Sequence, residues 1–263
     1  MIANDLRAAL VALLVAPSLV ACGGEGTFQA RIYGEEFIED GIPSDVFVDG
    51  WSVTYDKFLV VVGDLSVGDG EATIPGWHVV DLATKTMGMG QAIGEVSVAA
   101  GTIERFGYRI APNDGAAPTL ATEADLGLVR GHAMFLQGTA TRGDQVITFA
   151  WGFDADTLYS PCEIDAELAA DGEASAQITI HADHIFYDDL DSSTPNVAFD
   201  LIAASDADGD GAVTREELMA VDITAEARYQ VGSHDVKDLW SFLATQATTV
   251  GHIDGEGHCE NLH

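Results

Sequence analysis

Residues 139–145 read Thr139-Ala-Thr-Arg-Gly-Asp-Gln145 and stand between two runs of alternating character, Gly131–Ala140 and Gln145–Phe153. Strand side chains point alternately to opposite faces, so such runs each present one apolar face. A Gly-Asp pair between them supplies the tight connection of a β-hairpin. This stretch therefore predicts adjacent antiparallel strands, and the pattern recurs on both sides of it. Thr27–Tyr33, Trp51–Tyr55, Lys57–Val62, Trp77–Asp81, Ile103–Ile110 and Ser175–Tyr187 read the same way, divided by turn clusters such as Pro112-Asn-Asp-Gly115. Many short strands with turn signals predict an antiparallel β-sandwich-like body. Trp51, Tyr55, Trp77 and Trp151 read as packing for that body. The acidic stretch 161–174 reads as a surface connection or short helix.

After Tyr187 the texture changes to helical signals. Thr194-Pro195 has the form of an N-cap followed by proline at the first helical position. Thr214 with Glu217 three residues later has the form of a capping box. A third helix is expected after Ser233, carrying Val236, Leu239, Trp240 and Leu243, and the Gly- and His-rich tail from Gly251 is expected to be a loop. The predicted class is α+β. A β-rich domain (31–187) is followed by a small helical region with a His-rich tail (188–263).

Charge narrows the function. The chain has 263 residues, with 43 Asp+Glu against 11 Lys+Arg, a formal net charge of −32. Such a surface repels nucleic acid and anionic lipid. The 47% hydrophobic content is enough to build a core despite that charge. An excess of this size suits a salty external medium, where screening makes self-repulsion tolerable.

The first residues read as an export signal. Arg7 precedes the apolar run Ala8–Ala21, which is too short to span a bilayer and long enough for a signal peptide. The run ends Leu19-Val20-Ala21-Cys22, followed by Gly23-Gly24. This tetrapeptide resembles the lipobox of bacterial lipoproteins. The resemblance implies removal of residues 1–21, lipidation of Cys22, a tether over 22–30, and a place in the cell envelope, anchored to the outer membrane or cell surface through Cys22 alone. With Cys22 set aside, Cys162 and Cys259 remain, and an exported chain with two cysteines predicts one disulfide.

The most specific motif is Asp206-Ala-Asp208-Gly-Asp210-Gly211-Ala212-Val213-Thr214-Arg-Glu-Glu217. A hard divalent cation takes six to eight oxygens at ~2.4 Å, and a short loop supplies them only if it curls, which Gly211 permits. The stretch resembles the twelve-residue calcium loop of the EF-hand family. The resemblance implies ligands from Asp206, Asp208, Asp210, the Ala212 carbonyl, Thr214 and Glu217, with calcium as the bound ion. It extends over about 30 residues, Thr194 to Asp222, and so identifies a module. EF-hands work in pairs, and one loop is present. A cryptic partner, a dimer, or packing of Val213 against the β body must replace the second. Where external calcium is millimolar, such a site acts as a structural staple rather than a sensor.

Histidines form a second signal. Six of the eight lie after residue 180. His132, His181, His184, His252 and His258 are candidate copper or zinc ligands. Thr179-Ile-His181-Ala-Asp183-His184 resembles the His-x-His-x-Asp-His motif of metallo-β-lactamase-like hydrolases, but Thr179 stands where the first His belongs, and the surrounding αβ pattern is absent. Strand alternation through 176–187 places His184 on the inner face and His181 with Asp183 on the other. Both His then reach one ion only through a bulge or if the segment is not a strand. The alternative is one half-buried, hydrogen-bonded His and one at the surface. A disulfide would bring the tail near Cys162 and strand residues such as His132. An exported β body with Trp and His is also similar to secreted copper proteins of methane-oxidising bacteria, with no ligand motif to carry over. No nucleophile elbow, zinc-protease helix, phosphate loop or dinucleotide fingerprint occurs, so the sequence points to binding rather than catalysis.

Overall fold

A computed structural model describes residues 23–262. The signal run and Cys22 lie outside them. The elements in chain order are β1 (Glu25–Tyr33), α1 (Glu35–Glu39), β2 (Ser52–Val67), β3 (Ala72–Asp81), β4 (Gln91–Ala99), β5 (Gly101–Ile110), β6 (Ala117–Leu120), β7 (Met134–Arg142) and β8 (Gln145–Phe153). They continue with β9 (Thr157–Leu168), β10 (Glu173–Ile180), α2 (Asp200–Ala203), β11 (Ala212–Val213), α3 (Arg215–Met219), α4 (Leu239–Gln246), β12 (Gly251–Ile253) and β13 (Cys259–Leu262). The protein is β-rich, and most strand pairs are antiparallel.

The hairpin expected around residues 139–145 forms. β7 and β8 pair in register from Met134↔Phe153 to Arg142↔Gln145, leaving Gly143 and Asp144 as the turn. Gly143 takes φ +59°, a conformation that favours glycine. The large sheet runs β11-β8-β7-β2-β5-β9-β13, with β3 on β2 and β6 on β3. A second sheet runs β12-β10-β1-β4. Among the described residues three pairs are parallel: β1 with β10, β3 with β6, and β11 with β8.

β2 explains why a continuous apolar run is stable here. The two strands read at Trp51–Tyr55 and Lys57–Val62 are one, with a register shift between Tyr55 and Lys57. Phe58, Val60 and Val62 face the main core, which takes residues from both sheets and from α4. Leu59 and Val61 face the opposite way into a smaller cluster with Val79, Ala116 and Val129. Both faces of the strand are covered, so alternation of polarity is not needed.

Several expectations are corrected. β1 begins at Glu25, inside the stretch read as a tether. The acidic stretch 161–174 contains strand: β9 alternates Cys162, Ile164 and Leu168 inward with Glu163, Asp165 and Glu167 outward. The strand expected through Tyr187 stops at Ile180, and Asp183–Phe186 forms a 3-10 turn. Thr194-Pro195 does not start a helix, because Val197 is held extended by bridges to Phe47 and Tyr187. α2 starts later, and its first amides, Phe199 N and Asp200 N, donate to Asp49 Oδ2 at 2.7 and 2.8 Å. The third helix begins at Leu239, where Asp238 accepts from Ser241 N at 2.9 Å. The tail is not a loop: β12 and β13 add one strand to each sheet. Residues 188–263 therefore hold short helices and return three strands to the body rather than forming a helical region apart.

Candidate metal sites

Two groupings of ligand-type side chains sit at different places on this frame. The first is the loop from Asp206 to Glu217. Asp206, Asp208 and Asp210 bring carboxylate oxygens within 4.8 Å of one another. The curl that does this is hydrogen-bonded throughout. Asp206 Oδ1 accepts from Gly209 N at 2.8 Å, and Oδ2 accepts from Gly211 N at 3.0 Å. Asp210 Oδ1 accepts from Ala212 N at 2.8 Å. Gly211 takes φ +82°, as the sharp turn requires.

Glu217 closes the loop. Its Oε2 accepts from Thr214 N and from Thr214 Oγ1, both at 2.8 Å, while Thr214 Oγ1 accepts from Glu217 N at 3.3 Å. This is the capping box expected from sequence. Glu217 Oε1 accepts from Ala207 N at 2.9 Å, tying the end of the loop to its beginning. Hydrogen bonds from the Thr214 amide and hydroxyl, then the Ala207 amide, hold the Glu217 carboxyl below the usual carboxylate range.

Of the three arrangements open to an unpaired loop, the structure has the third. Ala212 and Val213 form β11 and pair in parallel with Thr148 and Phe149 of β8. Thr148 N donates to Gly211 O at 2.8 Å, and Trp151 Nε1 donates to Val213 O at 2.9 Å. Val213 is buried in the main core.

The second grouping lies where β10, β12 and the 3-10 turn meet. β10 ends at Ile180, so His181 and His184 are not on strand positions of opposite parity. His181 N donates to Val250 O at 2.9 Å, and the turn then carries His184 round to the same side. β12 brings His252 opposite Thr179. The ring centres of His181 and His252 are 4.3 Å apart, those of His184 and His252 5.1 Å, and those of His181 and His184 5.4 Å. Ligand atoms of His181, Asp183 and His184 lie within 4.8 Å, as do those of His181, His252 and Glu256. His181, Asp183 and His184 line a cavity of about 420 Å³, together with Tyr33, Glu35 and Tyr187.

The surroundings orient these groups. His184 Nδ1 is 3.1 Å from Thr249 Oγ1. His181 Nδ1 is 3.4 Å from Glu35 Oε2, and its Nε2 is 3.4 Å from Gly255 O. Tyr187 donates its hydroxyl to Asp183 Oδ2 at 2.9 Å. Asp183 Oδ1 and His252 Nδ1 are both buried without a hydrogen-bond partner. Burial lowers His184, and burial with the neighbouring imidazoles His181, His184 and His258 pushes His252 down to about 3. Both rings are thus neutral near pH 7, with lone pairs available to a Lewis acid. Burial raises the Glu35 carboxyl, partly offset by His181.

Two candidate histidines stand apart. His132 packs against Gly152 of β8 and joins neither grouping. The expectation that the tail would approach it fails, because β12 enters the small sheet beside β10 instead. His258 is exposed, its ring 5.8 Å from that of His252, and it too joins neither. Cys162 and Cys259 form the expected disulfide, at a paired position of β9 and β13. Sequence reasoning missed Glu35 and Glu256 as members. Glu256 lies in the Gly-rich tail between two named histidines; Glu35, 146 residues before His181, carries no local signal.

The chain matches no protein-family model, no curated protein and no solved structure.

Proposed function

We propose that this protein is a calcium-binding, lipid-anchored protein of the cell envelope, in which a single EF-hand-like loop acts as a structural staple. One observation carries the calcium reading. A twelve-residue loop with ligand-type residues at every required position is curled so that three carboxylates converge, and its eighth residue is stitched to β8 rather than to a second loop. Three carboxylates held this closely repel one another unless a cation compensates. An ion at the loop would lock α2 and α3 to the large sheet, which is the work of a staple.

Export is supported by the disulfide, since such bonds persist in oxidising compartments. The lipid anchor at Cys22 rests on the lipobox-like Leu19-Val20-Ala21-Cys22. Among the described residues no helix is long and apolar enough to cross a membrane. The acidic surface disfavours nucleic acid as a partner.

Titration calorimetry on the chain from Cys22 onward tests the calcium reading. Calcium should bind with one equivalent, and at 100 times Kd it should add about 2.7 kcal/mol of stability. Both effects should vanish in Glu217→Gln. No heat and no calcium-dependent shift in melting would overturn the reading.

A further inference from the structure

The imidazole cluster has a chemistry the calcium loop lacks. Calcium takes oxygen ligands, whereas neutral imidazoles suit zinc and copper. We propose that His181, His184 and His252, with Asp183, form a binding site for one divalent transition-metal ion of the zinc–copper class.

The spacing fits such an ion. Nitrogens held at ~2.0–2.1 Å in a tetrahedral arrangement set imidazole ring centres about 5 Å apart. The three separations here are 4.3, 5.1 and 5.4 Å. His252 Nδ1 and Asp183 Oδ1 are buried without a hydrogen-bond partner; so are His78 Nε2 and His132 Nδ1, but those two residues join no group of converging ligand atoms, whereas His252 and Asp183 do. A buried polar atom left without a partner costs about 1–3 kcal/mol, and a cation bound at that atom removes the cost.

The remaining contacts are those of supports. A metal-bound His directs its other ring nitrogen to a carboxylate, carbonyl or hydroxyl, which fixes the ring. His184 does so with Thr249 Oγ1, leaving Nε2 for the ion. His181 does so with Glu35 Oε2; its Nε2 lies 3.4 Å from Gly255 O, a long contact that the ring gives up on taking the ion. Tyr187 holds Asp183 by Oδ2, which leaves Oδ1 as the free oxygen. His181 is common to both groups of converging ligand atoms and is therefore the pivot. Because His181, Asp183 and His184 line the cavity, an ion held there is reachable by small ligands from solvent.

The test uses the chain from Cys22 onward, its disulfide intact, with calcium saturating. Zinc sulfate and copper sulfate are titrated separately, with a chromogenic chelator as competitor. One equivalent should bind, and electron paramagnetic resonance of the copper form should show coupling to imidazole nitrogens. Binding should fall below detection in His181→Ala and weaken at least tenfold in His252→Gln. Thr249→Val, which removes only a support, should weaken it by about tenfold. Melting curves and the disulfide content establish that each variant is folded. His234→Gln, outside the cluster, and Glu217→Gln, which removes the calcium ligand, should bind zinc as the parent does, so failure of the calcium reading leaves this one separately testable. Absence of binding at micromolar metal, or binding unchanged in folded His181→Ala and His252→Gln, would overturn the proposal.

Discussion

Trp151 donates its indole N–H to the carbonyl of Val213 at 2.9 Å, across 62 positions of sequence. Both residues are buried, so no water is at hand to replace either partner. This bond and the β11–β8 pairing together hold the acidic loop on the large sheet.

Trp151→Phe keeps most of the apolar contact, including the stacking against Phe149 at 4.4 Å, but strands the Val213 carbonyl. A loss of about 1–2 kcal/mol is expected in urea unfolding. The calcium-induced rise in melting temperature should shrink at the same time, since the ion would then order a loop less firmly joined to the body.

Cys162 and Cys259 close a loop of 97 positions. Replacing both by Ala should cost roughly 4–5 kcal/mol by the loop-entropy argument. The strand β13 that the bond holds begins at Cys259, shortly after His252 and Glu256 in the chain. Zinc affinity should therefore drop in the double variant even at temperatures where circular dichroism shows it folded.

Gly251 lies against a stacked pair, Tyr108 over Tyr159, with ring centres 4.8 Å apart. A Cβ there would meet Tyr108 Oη at 2.5 Å and Tyr159 Cε1 at 2.6 Å. Tyr108 also donates to His252 O at 3.0 Å, so the pair positions the next residue of the cluster. Gly251→Ala should destabilise by about 1–3 kcal/mol through overpacking. It should also weaken zinc binding without touching a ligand, which calorimetry on the folded variant would read.

Lys57 is one of three lysines, and it sits between Asp81 at 2.7 Å and Asp125 at 3.2 Å. Burial alone would raise Asp125, but hydrogen bonds from the Thr122 amide and hydroxyl and from Lys57 outweigh it and hold the carboxyl below its ordinary 3.8. The hydrogen bond to Asp81, opposed by burial, leads in raising Lys57 above its ordinary 10.5. The Asp125 contribution is present above pH 3.8 and is lost as pH falls through its lowered pKa. The Lys57 contribution is present below pH 10.5 and is lost as pH rises through its raised pKa. Asp125→Asn should flatten the acid limb of a stability–pH curve. Lys57→Met should cost about 2–3 kcal/mol at pH 7, below the value for a wholly buried pair because Lys57 remains 30% exposed.

The parts legible in the sequence are those whose partners are local. The β7–β8 hairpin needs only alternation and a Gly-Asp turn within 23 residues. The Thr214–Glu217 capping box needs four. The disulfide follows from counting. The tail misled because Gly-rich, polar residues have no strand propensity of their own: β12 and β13 exist through pairing with β10 and β9. The start of α2 misled for a related reason. Its cap is Asp49, some 150 positions earlier, and no local pattern reports that.

The same division separates the two candidate metal sites. The Asp206–Glu217 loop is written in twelve consecutive residues, because one curl of backbone places all its ligand-type groups. Period-two alternation puts His181 and His184 on opposite faces of a strand. The strand ends at Ile180, where the backbone of His181 turns to bond Val250 and a 3-10 turn resets the direction of His184. His252, Glu256 and Glu35 then arrive from distant parts of the chain. Ligand chemistry can be read residue by residue. Which imidazoles converge depends on where strands stop and which strands pair, and those are settled by burial and hydrogen bonding across the whole fold.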